Sequence, residues 1–195
     1  MQKEAVLAED ILDMIATLSF GLRDQRDRTI LLFGYADGLR RSEIVSLDIN
    51  RDDIGNTDRA IEGKDLIAIE DHGLILTFRG KTGWREVEIG RGSSDQTCPV
   101  RALEQYLHFF KINFGLLFQR VTRDDRKTTG DRLSDKHVAR LIKKTVRDAC
   151  IRYDLPEKDR LALFSGHSLC APALPAALTL MSVMFRNNWG THLLK

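Results

Sequence analysis

Three short stretches carry side chains able to do chemistry. "YADGLRRSEIVSL" holds Arg40 and Arg41 just after a glycine, with Glu43 two residues further on. "FRGKTGWRE" holds Lys81 after a glycine, and "FSGHSL" holds His167. A guanidinium offers two parallel hydrogen bonds to an oxyanion and never loses its charge. An ammonium is a compact positive charge, and an imidazole can give or take a proton near neutral pH. Each residue also has an ordinary reading: Arg40 as a surface arginine at a helix start, Lys81 as an exposed turn lysine, His167 as a capping or core histidine. A fourth feature is spread out. Residues 120–147 hold ten Lys/Arg against four Asp. A solvated helix face presents the same kind of run.

The elements that must position these residues follow from periodicity. Residues 4–18 place Val6, Leu7, Ile11, Ile15 and Leu18 at helical spacing, and residues 26–37 continue helically through the apolar "TILLFGYA". Gly38 reads as a helix stop, and "LRRSEIVSL" restarts with Leu39, Ile44 and Leu47 on one side. Residues 64–90 contain β-rich segments broken by "DHG" and "GKTG", which predicts two hairpin turns with Lys81 in the second. "CPVRALEQYLHFF" returns to helix with Pro99 in its first turn. "GDRLSDKHVARLIKKTVRDAC" is another helix, with Ser134 as N-cap and Val138, Leu141, Ile142 and Thr145 as the buried stripe. Lys143, Lys144 and Arg147 lie off that stripe. The expected fold class is α+β, mostly α-helical, with a small three-stranded antiparallel sheet.

Composition narrows the class of protein. The 195 residues are 43% hydrophobic and 30% charged, which suits a globular chain with one sizeable core. The net charge of +2 does not by itself announce a nucleic-acid partner. Cys98, Cys150 and Cys170 match no metal or redox spacing, so a reduced, intracellular setting is expected. No apolar stretch is long enough to span a membrane, and the acidic, amphipathic N-terminus is unlike a signal peptide.

Taken in order, "YADGLRRSEIVSLDINRDDI", "LTFRGKTGWREVEI" and "SGHSL", joined by "CPVRALEQYL", "LFQRV" and "GDRLSDKHVARLIKK", resemble the catalytic domain of the tyrosine recombinase (phage integrase) family. The resemblance covers roughly residues 3–169. It implies DNA strand breakage and rejoining, in which a tyrosine attacks a phosphate and forms a 3′-phosphotyrosyl link. The transition state gathers negative charge on its non-bridging oxygens, and fixed cationic donors stabilise it without a metal or cofactor. By resemblance Arg40 is the first catalytic arginine, Lys81 protonates the leaving oxygen, and His167 is a phosphate donor or general acid/base. Glu43 supports the site by holding a cationic neighbour, and Arg41 is the solvent-facing arginine of the pair. The implied partner is the phosphate backbone of double-stranded DNA, met also by Arg140, Lys143, Lys144 and Arg147. Full-length relatives act as oligomers on DNA, and a cytoplasmic, nucleoid-associated bacterial or phage-encoded protein is implied.

The pattern breaks after His167. The family has an arginine three residues on, where this chain has Cys170, and its nucleophilic tyrosine lies further downstream. Tyr35, Tyr106 and Tyr153 all precede His167. Shifting the reading frame of "CAPALPAALTLMSVMFRNNWGTHLLK" restores family features. Cys170 followed by Ala171 permits arginine. Met184–Phe185 forces valine, Asn187–Asn188 gives glutamine or a stop, Asn188–Trp189 forces leucine and Trp189–Gly190 forces glycine. Gly190–Thr191 then permits histidine, completing the family's Leu-Gly-His box. The expectation is an incomplete catalytic domain over residues 1–169, a frameshifted tail over 170–195, no N-terminal core-binding domain, and no cleavage activity. Two alternatives stand beside it: a non-catalytic DNA-binding or regulatory remnant, and a type IB topoisomerase-like enzyme, which shares the catalytic residue set.

Overall fold

The computed structural model describes residues 3–50, 66–70, 73–80, 83–92, 94–165 and 168–169. Three helices open the chain: α1 (Ala8–Ala16), α2 (Leu22–Ala36) and α3 (Arg41–Ser46). The first is shorter than the periodicity over 4–18 predicts. Residues 3–7 lie outside the helix, and several of their amides are engaged elsewhere. Glu4 donates to the Leu163 carbonyl and Val6 to the Ser168 carbonyl, each at 3.0 Å. Leu7 donates to the Asp10 carboxylate at 2.9 Å, which starts the helix there. The second helix begins at Leu22 rather than at residue 26. Its first turns carry polar residues that are nevertheless buried (Gln25, Arg26 and Asp27), so hydrophobic spacing does not reveal them. Gly38 ends the run with φ +60, a left-handed value that suits glycine.

The sheet is larger than the three antiparallel strands expected. Strands β2 (Leu66–Glu70), β3 (Gly73–Gly80) and β4 (Gly83–Gly90) do form an antiparallel meander. Two three-residue strands, β1 (Asp48–Asn50) and β5 (Phe114–Leu116), extend it to five in the order β4-β3-β2-β1-β5. β1 runs parallel to β2 and antiparallel to β5, so the sheet is mixed. Strands this short are below the length at which alternation can be read, and their partners are remote in sequence. One face of the meander is buried through Ile67, Leu74, Leu76, Phe78, Val87 and Ile89, while Glu86 and Glu88 face solvent. A second sheet pairs β6 (Gln119–Val121) with β7 (Thr128–Arg132).

The remaining helices are α4 (Pro99–Phe110), α5 (Asp135–Asp148) and α6 (Glu157–Leu163). Pro99 stands in the first turn of α4. The Ser134 hydroxyl caps α5 by accepting the Lys136 amide at 3.3 Å, and the stripe Val138, Leu141, Ile142 and Thr145 is buried together with Val146.

The core is organised around α2, which packs against α1, α3, α4 and α5. Phe33 meets Phe118 edge-on with ring centroids 6.0 Å apart, and Phe118 stacks on Tyr106 at 5.7 Å. The Tyr106 hydroxyl donates to the Leu117 carbonyl at 2.8 Å. At the other end of α2, Arg26 is only 2% exposed. Its guanidinium donates to Asp27 Oδ1 at 2.7 and 2.9 Å and to the Gln119 carbonyl at 3.0 Å. His137 Nε2 lies 2.9 Å from Arg26 Nη2 and 3.1 Å from Asp27 Oδ1. Removing one member of a buried ion pair strands the other. Arg26→Ala is therefore expected to lower unfolding free energy by about 3–5 kcal/mol. The paired change Arg26→Met with Asp27→Leu should lose much less, measured by urea denaturation.

Candidate functional site

Arg40 is placed by the turn between α2 and α3. Leu39 is buried and pins the turn, and Arg40 follows as the N-cap of α3 with its side chain 72% exposed. Glu43, on the first turn of α3, takes the Arg40 backbone N–H on Oε2 at 2.8 Å and the Arg40 guanidinium on Oε1 at 3.1 Å. Glu43 Oε1 also pairs with Arg85 at 3.2 Å. Arg85 comes from β4 and lies over the ring of Phe78, its partner on β3, 5.3 Å from the centroid. One carboxylate thus ties the start of α3 to the meander while Arg40 stays open to solvent. Arg41 was expected to be the solvent-facing residue of the pair. The structure reverses this: Arg41 is half-buried within the first turn, whereas Arg40 precedes the helix and projects from its end.

Asp37 joins this cluster from the C-terminal end of α2. Burial pushes its carboxyl above the ordinary value, with Arg85 pulling it down and Glu43 pushing it up. Neither Asp37 nor Arg85 was singled out from sequence. Strand alternation puts Arg85 on a face, but only the packing of β4 beside α3 turns it into a partner of Glu43.

Lys81 lies outside the described residues, in the two-residue connection between the paired Gly80 and Gly83. His167 and Cys170 also lie outside them, as does the tail from Cys170 to Lys195. Ser165 and Ser168, on either side of the pair Gly166–His167 in sequence, bond to each other. Ser165 N–H donates to Ser168 Oγ at 3.0 Å, and Ser168 N–H returns to the Ser165 carbonyl at 2.9 Å. Leu169 packs where α2 and α3 meet. A Cβ on Gly34 would lie 2.7 Å from Leu169 Cδ1 and 3.4 Å from Ile44 Cδ1, so glycine allows this close approach. The fold therefore brings the residues next to His167 to the helix pair that presents Arg40.

The basic residues of α5 divide. Arg140, Lys143, Lys144 and Arg147 are all exposed. Lys144 and Arg147 share Asp148, at 3.3 and 3.1 Å, whereas Arg140 lines a cavity at the start of the helix. Among the described residues no cluster of His, Cys, Asp or Glu has the makings of a metal site, and no helix is long and apolar enough to cross a membrane.

With an arginine at the cap of α3 clasped through Glu43 to the β3–β4 pair, the chain is a relative of the tyrosine recombinases. It is 30% identical over 149 residues to an "Integrase/recombinase xerD homolog" of Selenomonas ruminantium, a match covering 74% of this chain and 37% of that protein. Two crystal structures of the XerH site-specific recombinase, after and before cleavage of difH substrates, share the fold with TM-scores of 0.55 and 0.53. Their identities are 14% and 15%, and each match covers 93% of this chain but 42% and 44% of those chains. The chain thus spans less than half the length of these relatives. No protein-family profile matches it.

Two outcomes test this arrangement. Gly34→Ala should force Leu169 to shift and destabilise the domain by about 1–3 kcal/mol, read in denaturant melts. A carboxyl held above its ordinary 3.8 binds its proton more tightly when folded, so stability falls as pH rises through that interval. Asp37→Asn is then expected to raise the urea midpoint at pH 7, with the gain vanishing below pH 3.8. A gain independent of pH would show that Asp37 is not held as described.

Proposed function

We propose that this chain is the catalytic-domain portion of a DNA breaking-and-rejoining recombinase, keeping the phosphate-binding face but not the covalent step. The observation that carries the reading is Arg40, exposed at the cap of α3 and braced by Glu43, which Arg85 holds in turn. An exposed guanidinium with a fixed base is suited to a phosphate oxygen. In this reading Arg40 binds the non-bridging oxygens, Lys81 serves the leaving oxygen, and His167 supplies a further donor or acid/base group. Glu43 is a positioning residue. The positive field comes from side chains, so the reaction calls for neither metal nor cofactor. The likeness to recombinases bound to difH substrates supports DNA as the partner.

The covalent step needs a phenol at the phosphate, and the three tyrosines of the chain do not supply one. Tyr35 is buried, and burial with the nearby Asp10 pushes its phenol up. Tyr106 is fully buried, its phenol pushed far up by burial and its hydroxyl given to Leu117. Tyr153 is exposed but lies between α5 and α6, upstream of His167 rather than after it. With Cys170 where the second arginine belongs, one phosphate donor is also lacking, a loss that commonly slows such chemistry by orders of magnitude. Residues 1–169 are read as the catalytic unit and 170–195 as a frame-shifted tail. Binding should persist through the backbone, with little sequence preference and a steep salt dependence.

A nicked suicide duplex tests both halves. The expected result is salt-sensitive binding with no protein–DNA adduct surviving denaturing electrophoresis. A covalent adduct would refute the loss of chemistry. Absence of salt-sensitive binding at any concentration would refute the retained DNA face.

A further inference from the structure

Residues 3–6, ahead of α1, tie down a part of the domain remote in sequence. The Lys3 ammonium donates to the Ala162 carbonyl at 2.6 Å. The Glu4 N–H donates to the Leu163 carbonyl and the Val6 N–H to the Ser168 carbonyl, each at 3.0 Å. The Glu4 carboxylate pairs with Arg152, which also holds Asp154 at 3.0 and 3.1 Å. Glu4 and Arg152 are both more than a third exposed, so salt screens their pair and it adds little.

The helix that these residues meet needs outside support. α6 has seven residues, none of them buried, and Pro156 at its N-cap contributes no side-chain hydrogen bond. Leu161 and Leu163 are only partly covered by the core. A helix this short does not hold itself in water. Its last carbonyls have no partner within the helix, and Lys3 and Glu4 supply donors to two of them. An ammonium suits that end, where the helix dipole is negative. On either side of this region the chain is anchored. Val6, Phe164 and Leu169 are buried in the common core, whereas Lys3 is exposed and Glu4 half-buried.

We propose that Lys3–Val6 act as a latch on α6 and on the Ser165–Ser168 turn. These three pieces open together, with Val6, Phe164 and Leu169 as anchors, at a free energy below that of global unfolding. Segments held by exposed hydrogen bonds and few buried contacts open locally in this way. α2 and α5 differ, because each buries a long face. Ser165 and Ser168 flank Gly166–His167 in sequence, so a latch at residues 3–6 controls how the two serines are held. A role for that control in chemistry rests on the proposed function; the opening itself does not.

Amide hydrogen exchange, followed by NMR on the full chain without DNA, tests the latch. The amides of α6, Ser168 and Val6 should share one opening free energy, below that of the α2 and α5 amides. Glu4→Pro removes a donor and a carboxylate from the latch. It should speed exchange of the α6, Ser168 and Val6 amides by one common factor of about ten. The Thr122 amide, bonded to the Lys127 carbonyl in the β6–β7 hairpin, is the control for an unrelated opening and should not change. Protection of α6 and Ser168 equal to that of α2 in the wild type overturns the proposal. So does acceleration of α6 in Glu4→Pro with Ser168 unmoved, or no acceleration at all. If Glu4→Pro does not fold, Lys3→Gln/Glu4→Gln keeps every amide, removes both charged groups and carries the same comparison, with a common factor of about three.

Discussion

Burying charge on the central helix is the constraint around which this domain is arranged. Arg26 and Asp27 sit in the interior at the first turns of α2, and neither can be left without partners there. Gln119 and His137 provide them, and these residues belong to β6 and α5. The hairpin and the last long helix are thereby keyed to α2 by polar contacts of fixed geometry. The apolar second half of the same helix does the opposite work. Ile30, Leu31 and Phe33 enter the common core, and Gly34 leaves room for Leu169. One helix thus anchors the β6–β7 hairpin and α5 at its start and presents the Arg40 turn at its end.

At that end, electrostatics and packing act on the same few atoms. Glu43 accepts both arginines on one oxygen and the Arg40 amide on the other, which uses its hydrogen-bonding capacity on orientation. Arg85 is steadied in turn by the face of Phe78. Lys81 falls in the sequence between the paired Gly80 and Gly83 of the strands that carry Arg85, and the clasp couples those strands to the helix that presents Arg40. On the proposed reading, loss of the distal catalytic groups would leave this clasp intact, because none of its members comes from beyond Arg85.

Much of the fold was legible in the amino-acid order. The helices around "CPVRALEQYL" and "SDKHVARLIKK" and the strands β3 and β4 have periodic burial, and periodicity is a local property, while "TILLFGYA" reads as an unbroken apolar run and is buried throughout apart from Ala36. Ser134 as a cap and Gly38 as a stop were likewise readable from local chemistry. The short strands β1 and β5 were not, since three residues cannot display an alternation and each is defined by a remote partner. The start of α2 was missed for a related reason. Its buried face is polar there, and a polar residue declares itself buried only when its partner is known.

The same division runs through the site. Sequence alone determined which side chains are candidates, Arg40, Glu43, Lys81 and His167, and that Cys170 stands where a second arginine would be expected. It also determined that every tyrosine precedes His167. Tertiary structure alone decided that Arg40 rather than Arg41 is the open arginine, and that Arg85 and Asp37 belong beside Glu43. It also decided that arginines from α2, β6, β7 and α5 share one cavity. The physical reason is range. Residue type and helical or strand period are set by a few neighbours along the chain, whereas charge convergence depends on which distant surfaces packing brings together.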